Sequence, residues 1–323
     1  MLSSRPICAA ISLFLPLIFA SACSGGSEES FTETVRKAAI EDAFTGPALW
    51  QVSDEDTTVY LFGTVHTLRP DTRWQTPLID QALKDADAVY FEADTSSAKA
   101  QNDISQTVTE LGLFIDGQTL SDILPAEAAT EIEETAALLG VELQAFDNFK
   151  PWLASSALSD LHLDARGFDS ALGVEKIVAA EIEARATPVR FLETGAYQLG
   201  LLASVPEAEQ IAMLVQTAEQ IEDEPDFLDN LIVDWASGDV EALAASIAND
   251  DVFGSGEIYN LMLRTRNANW ASKIDTLLEE EAGTFFIAVG AAHLAGPDSV
   301  QNILAAKGIT ATRENPQKPA PQP

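Results

Sequence analysis

Val59-Tyr60-Leu61-Phe62-Gly63-Thr64-Val65-His66 is the stretch on which the fold reading turns. Four consecutive apolar residues run into a glycine and, three residues later, a histidine. An unbroken apolar run fits a central strand covered on both faces better than a strand with one wet side. The pattern returns near the other end of the chain as Phe285-Phe286-Ile287-Ala288-Val289-Gly290-Ala291-Ala292-His293. Histidine occurs only three times in the 323 residues, and two of the three close these matched phrases. Imidazole is the side chain best suited to proton transfer or metal ligation near neutral pH, so the pair marks a candidate site. The glycine ahead of each imidazole permits a tight turn or a close backbone approach.

Working outward, strands are expected at residues 48–52, 57–62, 88–91, 188–192, 285–289 and 309–313, the first two forming a hairpin. Helical patterns cover 77–87, 126–139, 175–185, 207–221, 226–235, 240–247, 257–278 and 299–307. This alternation predicts an α/β fold: a mixed central sheet with flanking helices and a helical middle insertion. No Gly/Ser-rich linker interrupts residues 46–313, which read as one folded unit, and the Pro/Gln/Lys-rich residues 314–323 read as a disordered tail.

Eighteen basic against 51 acidic residues give a formal charge of −33. Such a surface repels nucleic acid and anionic headgroups, so neither is an expected partner. Residues 1–22 read as an export signal: Arg5, an apolar stretch over residues 7–19, then Ala20-Ser21-Ala22 before Cys23. The apolar stretch is short for a transmembrane helix. Small residues before Cys23 resemble a lipobox, which makes Cys23 a lipidation candidate and residues 23–45 a tether to a membrane in the periplasm or cell envelope. Ordinary cleavage after Ala22 is the alternative. The chain's two cysteines are Cys8, inside the signal, and Cys23. The mature chain therefore has no internal disulfide and no thiolate nucleophile.

His66, Glu92, Glu193 and His293 each fall just beyond the carboxyl end of a separate expected strand. Ligands of open α/β sheets bind outside those ends, so parallel strands would bring two imidazoles and two carboxylates to one rim. That set suits a metal site or an acid/base cluster equally. In the helix over 257–278, Tyr259, Arg266 or Asn267, and Trp270 recur at helical spacing. Arg266 is an internal ion-pair partner or an anion clamp, and Tyr259 and Asn267 are candidates for touching substrate. Asp169 is a further candidate from a loop; His162 has no strand context and reads as structural. G-x-S-x-G, phosphate-loop and H-E-x-x-H motifs are absent, which argues against a serine hydrolase of that class, a nucleotide enzyme or a helical zincin.

Taken in order, Leu49-Trp50, Tyr60-Leu61-Phe62-Gly63-Thr64-Val65-His66, Glu92, Gly167-Phe168-Asp169, Leu192-Glu193-Thr194 with Gln198, Arg266-Asn267 with Trp270, and Val289-Gly290-Ala291-Ala292-His293-Leu294 resemble the TraB/PrgY/GumN family, which includes the animal Tiki proteins. The resemblance spans roughly residues 47–313. It implies a fold akin to the erythromycin esterase and ChaN-like group and a metal-dependent protease activity. Carried over by position, the metal ligands are His66, His293 and Glu92, for a divalent Mn, Co or Zn ion. Glu193 is then general base or orienter, and Arg266 holds a substrate carboxylate or oxyanion. The chain departs from the family where Gly167-Phe168-Asp169-Ser170 lacks a His-like continuation, with Glu175 nearby instead. The expected function is an envelope-anchored, metal-dependent hydrolase acting on a peptide or protein. A metal-independent His/Glu hydrolase and a non-catalytic protein that sequesters a peptide signal stand as alternatives.

Overall fold

A computed structural model of the chain describes residues 45–247 and 256–314. The expected signal, Cys23, all but the last residue of the tether and residues 315–323 lie outside the described residues. Six strands form one sheet: β1 Leu49–Ser53, β2 Thr57–Thr64, β3 Ala88–Asp94, β4 Val189–Thr194, β5 Gly283–Gly290 and β6 Thr312–Arg313, in the order β4-β3-β5-β2-β1-β6. β2, β5, β3 and β4 run parallel, whereas β1 is antiparallel to β2 and to β6. The β1–β2 hairpin closes because the Asp54 carboxylate accepts hydrogen bonds from the backbone N–H of Asp56 and Thr57, at 3.2 and 2.9 Å, as Asx turns do.

Side chains alternate across the sheet and build two cores. One face carries Phe62, Val89, Phe91, Phe286 and Ala288. It is covered by α1 (Pro77–Asp85), α5 (Val174–Arg185) and α8 (Phe227–Ser237). The other face carries Val59, Leu61, Leu192, Phe285, Ile287 and Val289 under α10 (Thr265–Glu280) and α11 (Val300–Ala306). Burial on both faces explains why these strands read as continuous apolar runs.

The remaining labelled helices form the middle insertion: α2 (Ala98–Thr107), α3 (Ala126–Leu138), α4 (Pro151–Ala165), α6 (Gly195–Ser204), α7 (Glu207–Asp223) and α9 (Val240–Ile247). They enclose two further apolar clusters, one of which holds Ile104, Trp152, Leu199, Met262 and Leu263. No helix among the described residues is long and apolar enough to cross a membrane.

Three expectations need correction. The last strand shrinks from 309–313 to two residues, because Ile309 and Ala311 pack sideways onto the α10–α11 core. β3 and β4 run further than expected, to Asp94 and Thr194, so Glu92 and Glu193 sit within their strands close to the carboxyl ends rather than beyond them. The helix expected over 257–278 is broken by a π turn at Asn260–Arg264. A π turn inserts about one extra residue, which rotates everything before it by roughly 100°. Tyr259 therefore does not share the face of Arg266 and Trp270.

Candidate active site

The parallel register fixes the site. Thr64 pairs with Gly290 across β2 and β5, Phe91 with Ala288 across β3 and β5, and Ala93 with Glu193 across β3 and β4. All four carboxyl ends therefore open on one rim. The turn that follows β5 packs closely on β2 at Gly63, where an added Cβ would lie 3.0 Å from Ala291 Cα. The indole N–H of Trp235 donates to Gly63 O at 2.8 Å and ties the end of β2 to α8.

Gly290 is the floor around which the polar groups gather. A Cβ on it would lie 3.2 Å from Glu92 Oε1, 3.6 Å from His293 Cδ2 and 3.8 Å from His66 Nε2. The Gly290 N–H donates to Glu92 Oε1 at 2.7 Å. Gln198 Nε2 donates to Glu92 Oε2 and Glu193 Oε1, at 2.9 and 2.7 Å, so one amide spans both carboxylates.

Arg266 is wholly buried at the centre. Its Nε donates to Glu193 Oε1 at 2.8 Å, and Nη2 reaches Glu92 Oε2 at 2.5 Å and Glu193 Oε1 at 2.6 Å. Nη1 donates to Met262 O at 2.9 Å and to His293 Nε2 at 3.2 Å. A guanidinium has five N–H donors, and these contacts engage each of its three nitrogens. Burial opposes its charge, yet Glu92 and Glu193 hold its pKa above the ordinary value. Of the two readings open for Arg266, the ion-pair centre fits; no donor is left for a substrate carboxylate or oxyanion.

The two strand-end histidines stand in different surroundings. His293 Nδ1 donates to Asn267 Oδ1 at 2.5 Å, Nε2 accepts from Arg266, and the ring leans on Trp270 with centroids 4.3 Å apart. Burial first, then the positive charge of Arg266, holds its pKa well below the ordinary imidazole value, so it is neutral. His66 instead places Nδ1 2.7 Å from Glu175 Oε1. The contact sets a carboxylate beside the ring nitrogen without the angle of a linear hydrogen bond. Burial alone would lower the His66 pKa; the Glu175 carboxylate, with help from Glu92, raises it above the ordinary value. The Glu175 carboxyl is pushed up by burial, but His66 and the Thr64 hydroxyl, which also donates to it, bring it below its ordinary value.

His66, Glu92, Glu193, His293 and Arg266 thus come together. Asn267 is buried and structural: its Nδ2 donates to Asp298 O at 2.8 Å while its Oδ1 holds His293. Tyr259 OH donates to Asp298 at 3.2 Å, behind that contact. Neither is placed to meet a substrate over Gly290. Asp169 is elsewhere, accepting from Ala171 N at 2.7 Å and bridging Leu68 through its backbone. His162 sits against Pro225 O. Sequence alone assigns no role to Glu175, Gln198 or Thr64. The signal for Glu175 was a second Gly-x-acid phrase, Gly173-Val174-Glu175, six positions after Gly167-Phe168-Asp169.

Two imidazoles and a carboxylate are a suitable donor chemistry for a divalent ion, but the arrangement does not fit a three-donor centre. The Nε2 lone pair of His293 faces a guanidinium N–H and its Nδ1 carries the proton shared with Asn267. Among the described residues no three His, Cys, Asp or Glu side chains are disposed to hold an ion.

A family model, the TraB/PrgY/gumN family, matches residues 48–313. Among curated relatives, the uncharacterised protein YbaP of Escherichia coli (strain K12) is 20% identical over 272 residues, covering 84% of this chain and 97% of YbaP. An uncharacterised protein of Treponema pallidum (strain Nichols) is 24% identical over 267 residues, 79% of each chain. A protein of Danio rerio named metalloprotease TIKI1 is 26% identical over 325 residues, covering 85% of this chain and 64% of the relative. With a family model spanning nearly all of the sheet and its helices, this chain belongs to the TraB/PrgY/gumN family.

Proposed function

We propose that this protein is a hydrolase that cleaves peptide bonds, with His66 as the group that activates water. The observation that carries the reading is that His66 Nε2 and Glu92 Oε1 both border the space above Gly290, 3.8 and 3.2 Å from where a Cβ would stand, with Glu175 beside Nδ1 of the same ring. Nε2 is then the nitrogen left to take a proton from water. The resulting hydroxide adds to the peptide carbonyl, and the same proton passes to the leaving amine as the C–N bond breaks. Glu92, Glu193, Gln198, Arg266 and His293 form the rigid wall that keeps this corner fixed. The peptide as substrate class is supported by the protease name of the zebrafish relative.

A second reading adds a divalent ion. It is supported by that relative's name and by the carboxylates of the site, Glu92 and Glu193 beside Arg266 and Glu175 beside His66. An export signal and a lipid on Cys23 belong to the same proposal, placing the enzyme on a membrane of the cell envelope. The test is mass spectrometry of a mixed peptide set incubated with wild type, His66→Ala, and wild type stripped by a chelator and assayed for residual metal. Products from wild type and none from His66→Ala support hydrolysis. Loss of products on stripping, with return on adding Mn, Co or Zn, selects the metal-dependent form. Disappearance of peptide without new masses would mean sequestration instead. For the anchor, Cys23→Ala is expected to move the protein from the membrane to the soluble envelope fraction.

A further inference from the structure

We infer that Glu175 is a positioning residue that decides which ring nitrogen of His66 carries the proton; the inference rests on the reading of His66 as the water-activating group. The local chain is built around this contact. α5 begins hard against the end of the His66 segment: the Val174 N–H donates to Val65 O at 3.0 Å. Gly173, just before it, packs so closely that a Cβ would lie 2.2 Å from His66 O. That approach puts Glu175, in the first turn of α5, within 2.7 Å of Nδ1. The helix N-terminus favours the ionised carboxylate there, and the Thr64 hydroxyl fixes the same oxygen from the end of β2.

A carboxylate beside Nδ1 selects the tautomer with the proton on that nitrogen and points the Nε2 lone pair at the Gly290 floor. It also stabilises the imidazolium that forms once Nε2 has taken a proton, the part a carboxylate plays behind the histidine of a hydrolase triad. His293 cannot take over this work, since both its nitrogens are engaged by Arg266 and Asn267. The two matched histidines therefore have different roles, one chemical and one architectural.

The experiment is nitrogen-15 NMR of the imidazoles in the full chain, which has three to resolve, assigned with His66→Gln and His162→Gln. At a pH where the ring is neutral, wild type is expected to show His66 protonated on Nδ1 alone. Glu175→Ala is expected to show a mixture with Nε2–H, and Glu175→Asp to restore the wild-type form in part. If Glu175→Ala does not fold, Glu175→Gln keeps the volume, can donate as well as accept, and is expected to lose the single-tautomer signal. In peptide cleavage, kcat of these variants should fall by about 10²–10⁴-fold, as for lost supporting carboxylates elsewhere, with KM unchanged. A folded Glu175→Ala or Glu175→Gln that keeps the wild-type tautomer and kcat overturns the inference. Should wild type cleave no peptide, the proposed function fails while the NMR result still decides the role of Glu175.

Discussion

At the scale of single residues, the site is an arrangement of buried charges, and its energetics follow from what each charge would face alone. Arg266 has no exposed surface and two carboxylates within 2.6 Å. Taking away the cation leaves Glu92 and Glu193 buried and mutually repulsive, a change that typically costs about 3–5 kcal/mol. Arg266→Met is therefore expected to lower the urea midpoint strongly, and adding Glu92→Gln and Glu193→Gln to recover much of the loss. Recovery that fails in the triple variant would locate the damage in packing rather than charge.

The histidines also give stability a pH profile. The folded-state pKa of His66 is raised, so its contribution is present below the unfolded imidazole value and is lost as pH climbs through the raised one. That of Glu175 is lowered, so its contribution is present above the unfolded carboxyl value and is lost as pH falls through the lowered one. His293, held neutral, takes up its proton more readily when unfolded, which weakens the fold as pH drops below about 6.5. Thermal melts should thus show an acid flank set by His293 and Glu175 and an alkaline one set by His66. Replacing His66 with Gln should remove the alkaline one.

At the scale of elements, the parallel strands were legible because each is an unbroken apolar run ended by a polar or glycine signal, as in Val89-Tyr90-Phe91-Glu92. The ends were harder, since ladder pairing with a neighbour carries a strand past its apolar core, as at Glu193 beside Ala93. α4 falls in the expected helical middle but its bounds were not legible, because nine of its residues are buried, Trp152 and Leu158 among them, and a helix so covered has little periodicity to read. α6 was missed because it opens on a glycine, although Thr194 caps it by accepting from Tyr197 N at 3.2 Å.

The strand-end residues of the site were readable from type and place together. Glu175 was not, because its partner lies across a loop contact that only the packed helix reveals. Gly173→Ala tests that packing. The added methyl meets a backbone carbonyl that cannot swing aside, so a loss of about 1–3 kcal/mol is expected. Hydrogen exchange should quicken at Val174, whose N–H would lose Val65 O. Unchanged protection there would show that α5 can dock without the glycine.

At the scale of the whole molecule, the excess of acidic residues sets the solution behaviour. A formal charge of −33 spread over the surface repels itself at low ionic strength and is screened within about a nanometre at 0.1 M salt. The melting temperature is expected to rise between 10 mM and 1 M KCl, measured at constant pH. A melt that does not move with salt would mean the carboxylates are already neutralised by bound cations.

The strand order carries one more consequence. β5, drawn from close to the end of the chain, lies between β2 and β3, which come from its beginning. Until it arrives, neither of those early strands has its mate on that side, and His66 and Glu92 have no backbone between them to meet over. Such distant pairing makes for slow assembly. It also means that a nascent or clipped polypeptide ending before Gly283 holds no part-built pocket: the site arises late, all at once, with the last wedge driven into the gap.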